Sequence, residues 1–365
     1  MKRRSIFRKE KKNGEPGPGK PWRFRFAAGT ALWLMVWAVP VQAGVFGGMT
    51  KSGTTAGQFL KIPVGARAIA MGGAYSALAS DVTAIYWNPA GLARISSTAS
   101  AGFAHARWLA GTNYDFAAAA VRLGSAGTVG VSFISLTMPD MPVRTEFEPE
   151  GTGEFFSAMD FALGVSFARA ITDRFRLGFN AKYVREQIWH MAASALALDI
   201  GILFRTDFDW LTLGVSVSNF GPKMRYEGKD TFINYDFDPY EHGDNANIFA
   251  NLQTDRWDLP LLFRFGLAFD LLDNEWNQLK AAVEARHPND NTENVSFGVE
   301  YGFRHWVFFR AGYQSLFEQD RERGLTAGFG IRYYLTPFVP LFLDYAYADW
   351  GRLTSVHRFS FEIRF

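Results

Sequence analysis

Six histidines (His105, His190, His242, His287, His305 and His357) are the side chains of this 365-residue sequence best suited to proton transfer or metal ligation near neutral pH. Their scatter suits neither, because no two stand at metal-ligand spacing and no Ser/His/Asp or Asn/His/Ser set falls at one level of neighbouring elements. Asp236, Asp238, Glu241 and Asp244 could gather around calcium, but four carboxylates in a polar loop are ordinarily just solvated. The stretch GVFGGMTKSG places Lys51-Ser52 without the glycine that must precede the lysine of a phosphate-binding loop. With no cysteine there is no thiolate metal site, no disulfide framework and no lipoprotein cysteine. No catalytic residue, cofactor or metal is assigned, and the chain is expected not to be an enzyme.

A second set of charges carries more information. Arg264, Lys280, Glu284, Arg286, Glu300, Arg310, Arg332, Asp344, Glu362 and Arg364 each alternate with apolar neighbours. Successive side chains of a strand point to opposite faces, so these ten charges share one face and the apolar residues the other. Charges of both signs on one enclosed face most simply pair with one another or hold something between them. A selective ion path is the sharper reading.

The elements that carry them are strands. Alternating segments separated by turn residues fall near 98–107, 114–123, 126–138, 157–171, 175–189, 194–205, 211–220, 260–272, 278–287, 294–304, 306–315, 324–335, 340–350 and 357–365. In the last, Phe359, Phe361, Ile363 and Phe365 oppose Ser360, Glu362 and Arg364. The chain is 48% hydrophobic with 35 Phe and 35 Gly, yet no run after residue 43 is long enough for a membrane helix. A transmembrane barrel resolves that combination, since its strands put apolar residues to lipid and small or polar ones to the lumen. An arginine at mid-membrane on the lipid face would cost about 2–4 kcal/mol, so the charged face is the lumen. A soluble β-sandwich or propeller is disfavoured because the apolar faces are almost entirely Phe, Leu, Val and Tyr, and no blade-length repeat is visible.

Connection lengths give an independent check, because such barrels have short periplasmic turns, long outer loops and an even strand number. With fourteen strands the two longest connections, 139–156 and 221–259, both fall outside and both termini lie in the periplasm. The outer loop 222–259 carries Tyr226, Phe232, Tyr235, Phe237, Tyr240 and Phe249, as a docking surface or a folded lid. Trp108, Tyr114, Trp189, Trp210, Trp276, Trp306, Tyr347 and Trp350 cluster near strand ends, where amphipathic rings belong at membrane interfaces. Phe220, Phe308 and Phe342 are expected in the lumen. No basic patch with interleaved aromatics supports nucleic-acid binding.

The fold expected is therefore all-β, a 14-stranded antiparallel transmembrane barrel over residues 97–365. Before it, residues 1–43 read as a signal peptide: a basic leader, the apolar run FAAGTALWLMVWAVPV and Val41-Gln42-Ala43 as cleavage pattern. A retained anchor is the alternative. Residues 44–96 are too irregular and too rich in Ala and Gly for strands, and a lumen of this size leaves room for them as a plug, or hatch. Within it Gly65 to Leu78 is expected as a small-residue helix, and Asp81 as the cap of a short helix ending at Asn88-Pro89.

At these residues the sequence resembles the PorV/PorQ family, relatives of the FadL long-chain fatty-acid transporters. The resemblance is carried by Phe59-Leu60-Lys61-Ile62, Gly65-Ala66-Arg67-Ala68, Met71-Gly72-Gly73-Ala74, Asp81 and Tyr86-Trp87-Asn88-Pro89-Ala90-Gly91-Leu92. It is specific over about residues 57 to 95 and architectural beyond. It implies an N-terminal hatch inside a fourteen-stranded outer-membrane barrel, with Gly65, Arg67, Met71, Gly72, Gly73, Asp81, Asn88, Pro89 and Gly91 as its structural or gating residues. The implied partners, besides outer-membrane lipid, are secretion-system components or exported proteins of type IX secretion. FadL-like passage of a hydrophobic small molecule is the alternative.

Overall fold

The computed structural model describes residues 51–237, 240, 248–318 and 322–365, so the expected signal peptide, His242, and Asp238, Glu241 and Asp244 lie outside the described residues. Among the described residues fourteen long strands run antiparallel to their sequence neighbours: β1 Ala99–Arg107, β2 Asn113–Arg122, β3 Thr128–Thr137, β4 Ala158–Ala170, β5 Phe175–Ile188, β6 Met191–Arg205, β7 Leu211–Phe220, β8 Leu262–Asp273, β9 Asn277–Pro288, β10 Asn294–Phe303, β11 Val307–Leu316, β12 Leu325–Thr336, β13 Val339–Asp349 and β14 Ser355–Arg364. Pairing of Ser100 with Arg364 through to Ala106 with Arg358 joins β1 to β14 and closes the ring. Closure leaves no edge strand, and every wall N–H and C=O can be satisfied inside hydrocarbon.

The period-two pattern sorts side chains as the sequence requires. On β14, Phe359 and Phe361 are 59% and 46% exposed on the outer face, whereas Arg358 and Glu362 are 3% and 9% exposed within. No helix among the described residues is long and apolar enough to cross a membrane. The strands do the crossing.

Local departures from alternation have identifiable causes. Phe220 is expected inside but lies on the outer face, 64% exposed. Asn219 adopts φ 66°, the register between β6 and β7 shifts between Leu198 and Ile200, and this bulge turns Phe220 out beside Leu198. Phe308 is buried in the lumen as expected. Tyr114, Trp108 and Trp350 do not sit at a membrane interface. Tyr114 points inward and donates to the Ile62 carbonyl at 2.8 Å, and the two indoles pack edge-to-face at 5.0 Å, with the Arg358 guanidinium over Trp108. Trp189, Trp210, Trp276 and Trp306 are exposed near strand ends.

Beyond β7 the chain leaves the wall. Met224 and Trp257 exchange backbone hydrogen bonds of 2.8 and 2.9 Å, and Phe232–Tyr235 pairs with Ile248–Asn251 as a hairpin. The other long connection carries the small pairing of Met141–Pro142 with Phe155–Phe156.

Residues 57–95 contain short pieces only: 3-10 turns at Gln58–Lys61 and Pro89–Arg94, and helices α1 Ala66–Ala70 and α2 Ala84–Trp87. The helix expected over 65–78 is therefore five residues long. Gly72 and Gly73, at φ 66° and 71°, turn the chain out of it, a conformation that costs glycine nothing. Asp81 is not the N-cap of α2, which is Thr83. It stands two residues earlier and accepts from the Thr83 N–H at 3.0 Å, opening the turn that leads into the helix.

Candidate functional site

Nearly every side chain from Phe59 to Leu92 is buried, and the contacts that bury it come from lumen-facing residues of the barrel. Short elements with so little secondary structure cannot hold themselves, so the wall must supply both shape and polar partners. The shape comes from small residues. A Cβ on Gly298 or Gly312 would run into the Met71 or Gly72 backbone, one on Gly178 into Ala90, and one on Gly214 would lie 2.6 Å from the Ala77 Cα. The segment's own Gly72 is as tight, since a Cβ there would meet the Phe297 carbonyl at 2.5 Å. Backbone lies directly on backbone, which only glycine allows.

The polar partners are the lumen charges. Glu300, 0% exposed, accepts two bonds of 2.8 Å from Arg67 and one of 2.6 Å from Arg310, whose other arm reaches Asp344 at 2.6 Å. Arg67 also lies 3.6 Å from Asp81, and Asp81 accepts the Tyr75 hydroxyl. Glu284, equally buried, accepts the backbone N–H groups of Tyr75 and Ser76 at 3.1 and 2.8 Å and pairs with Arg286 at 3.0 Å. Arg286 in turn donates to the Gly73 carbonyl at 2.6 Å. Both carboxylates thus join wall to segment, the satisfied state that buried charge requires. The ion-path reading loses Glu284, Arg286, Glu300, Arg310 and Asp344 as carriers, because these groups are occupied.

Each residue of the motif has a place in this lock. Gly65, at φ 78°, opens α1 where a Cβ would meet the Thr83 methyl at 2.9 Å. Met71 is fully buried, and Gly72 N–H donates to the Thr326 hydroxyl at 3.0 Å. Asn88, fully buried, donates to the Ser76 and Ile202 carbonyls at 3.0 Å each and accepts from Ala90 N–H at 3.2 Å. Pro89 then starts the 3-10 turn, and Gly91 passes the Ala79 carbonyl so closely that a Cβ would lie 2.6 Å from it.

Partners that sequence reasoning missed include the receiving wall glycines and Trp87. The Trp87 indole donates to the Val64 carbonyl at 3.0 Å and lies under both Arg264 and Arg286. A glycine at alternate lumen-facing positions was the available signal, but a small inward residue does not say what fills the space it leaves.

At the loop end, Asp290 accepts from Thr55 and Gln58 at 2.7 Å and pairs with Lys61 at 2.8 Å. Its burial pushes the carboxyl up, but bonds from Gln58, Lys61 and Thr55 outweigh this and hold it below the ordinary carboxylate range. Glu186 accepts the Gly57 N–H at 2.8 Å and the Tyr226 hydroxyl at 3.2 Å, tying the outer loop to the same end. Burial and that carboxylate push the Tyr226 phenol up. Three spaces beside the segment measure about 20 Å³ next to Val82 and Phe116, about 40 Å³ next to Tyr86 and Arg323, and about 160 Å³ among charges at the short-turn end.

A closed fourteen-stranded barrel with an apolar outer face and a lumen filled from its own N-terminal side is an outer-membrane barrel of the FadL-like architecture. Among solved structures it is similar to the TodX monoaromatic hydrocarbon channel in a ΔS2S3 mutant form, at 13% identity and TM-score 0.52, covering 82% of this chain and 97% of that one. It is also similar to the toluene transporter TbuX of Ralstonia pickettii, at 12% identity and TM-score 0.51 over 83% and 98% of the two chains. The CymD monoaromatic hydrocarbon channel aligns at 11% identity and TM-score 0.52 over 83% and 96%. At such identities the likeness is one of fold. No curated protein matches the sequence. The family model described as type IX secretion system protein PorV matches residues 49–239, and the chain belongs to that family. It is an outer-membrane protein of the type IX secretion class.

Proposed function

We propose that the protein serves type IX secretion as a non-enzymatic barrel: residues 57–95 act as a fixed hatch, and the outer loops meet exported proteins or other secretion components. The observation that carries this reading is the lumen. Sites for small hydrophobic molecules are usually apolar and of about 300–1,000 Å³, whereas the largest of the three spaces around the hatch is about 160 Å³ and lined by charge. Passage of a fatty acid would require breaking the Glu300 and Glu284 anchors. The outer loops offer what the lumen lacks, with Phe232, Tyr235 and Phe249 of the hairpin and Phe147 and Phe155 of the second loop exposed, as docking surfaces are.

The two functional readings separate in one experiment. The protein, isolated from its native membrane in mild detergent, should bring with it secretion components or secreted proteins bearing the C-terminal signal. Loss of those partners when the hairpin 232–251 is shortened is the expected second result. Specific binding of a long-chain fatty acid in the lumen, with loss of uptake on deletion of the protein, would instead establish the FadL-like alternative.

A further inference from the structure

At the short-turn, periplasmic end of the lumen, three arginines and two phenylalanines alternate across four consecutive strands. The Arg310 guanidinium lies 5.4 Å from the Phe308 ring centre, Arg332 lies 5.6 Å from the same ring and 4.8 Å from Phe342, and Arg364 lies 4.5 Å from Phe342. Arg332, on β12, is therefore held between two phenyl rings at the middle of the ladder. Its neighbours are neutralised: Arg310 pairs with Glu300 and Asp344 at 2.6 Å, and Arg364 pairs with Glu362 at 3.0 Å. Lys280, nearby, lies 3.4 Å from Asp270.

Arg332 has no such partner. Among the described residues no carboxylate reaches its guanidinium, and its buried Nε has no hydrogen-bond acceptor. The Nε atoms of Arg176, Arg264 and Arg358 lack an acceptor as well, but of these four arginines it is Arg332 that lines the cavity of about 160 Å³, together with Arg364, Phe342 and the carboxylates of Asp81, Asp344 and Glu362. Ring faces stabilise a guanidinium but accept none of its in-plane N–H groups, so the edge stays available for a planar anion.

We infer that this periplasmic vestibule is a carboxylate-binding site with Arg332 as its receptor. A carboxylate matches the fork with two parallel N–H···O bonds, and the flanking rings suit an apolar or aromatic body attached to it. A tetrahedral phosphate dianion would need donors from several sides, and the other guanidiniums are already engaged. The inference does not depend on what the outer loops bind.

The test uses the full-length mature protein in detergent micelles, with benzoate as the probe, followed by saturation-transfer NMR against empty micelles. Saturable binding is expected. Arg332→Met should weaken it by at least about tenfold, the loss of one charge-assisted bidentate contact, while Arg332→Lys should retain part of it. Phe342→Leu keeps the charge and removes one ring, so it should weaken benzoate by about threefold, in line with one ring contact; it decides the matter if Arg332→Met does not fold. Inorganic phosphate at equal concentration should fail to displace benzoate. The inference is overturned by no saturable signal on the wild type, by Arg332→Met or Phe342→Leu binding as the wild type does, or by phosphate competing as well as benzoate.

Discussion

Replacing Arg67 by methionine leaves Glu300 buried with one cation where it had two. The lost interaction is two hydrogen bonds of 2.8 Å from a partly exposed guanidinium to a carboxylate with no exposure at all. Breaking a buried pair from one side costs about 3–5 kcal/mol, because the remaining charge stays desolvated. Arg310 still donates to Glu300 at 2.6 Å, so the lower end applies, about 3 kcal/mol. The barrel wall keeps its own ladders, and the loss therefore falls on docking of the segment 57–95 in the lumen. Three kcal/mol corresponds to about a 150-fold rise in the undocked population. Hydrogen exchange of the amides from Ala66 to Leu92 reads that population directly, and a second change, Glu300→Gln, removes the stranded charge. The double variant should recover a large part of the protection. Exchange unchanged in Arg67→Met, or a double variant as loose as the sum of the two single changes, would refute the idea that charge pairing holds the segment in the lumen.

Gly312→Ala should free the same amides by about 1–3 kcal/mol of overpacking, because the new Cβ would strike the Gly72 backbone, whereas Ala311→Val on the lipid face should leave exchange unchanged. Asn88→Ala removes two donated bonds of 3.0 Å inside the segment and to β6, and should cost about 1–3 kcal/mol in the same measurement. Acidification should act at the loop end. The Asp290 carboxyl is held below its unfolded value, so its contribution is complete above about pH 4 and is lost as pH falls through the folded value. Exchange of residues 55–61 should rise on going below about pH 4 in the wild type and show no such step in Asp290→Asn.

Alternation along the chain was sufficient to place all fourteen strands within a few residues, and the arginines among them identified the inner face. Both follow from one local fact: a strand turns successive side chains to opposite sides, and the hydrocarbon on one side admits no charge. Where that local fact fails, the reason is a backbone feature that alternation does not encode, although asparagine is one of the residues that adopts it most readily. One residue at φ 66°, Asn219, sends Phe220 outward.

The segment 57–95 shows the opposite balance. Its composition excluded strands, and its motif marked Gly65, Arg67, Gly72, Asp81 and Asn88 as residues that matter. What Arg67 and Gly72 do is decided between parts of the chain 200 and more residues apart, Arg67 with Glu300 and Gly72 with Thr326, whereas Gly65, Asp81 and Asn88 also meet partners within the segment. The same holds for Arg332, which reads in the sequence as one lumen charge among ten. That its neighbours are neutralised while it stands between two rings is a property of four strands brought side by side. The sequence by itself determined the face of residues in regular strands, because that depends on the two bonds beside each one, and failed only where a bulge intervenes, as at Phe220. Only the closed barrel decided which residues meet across the lumen, because that depends on strand register and on what fills the space between.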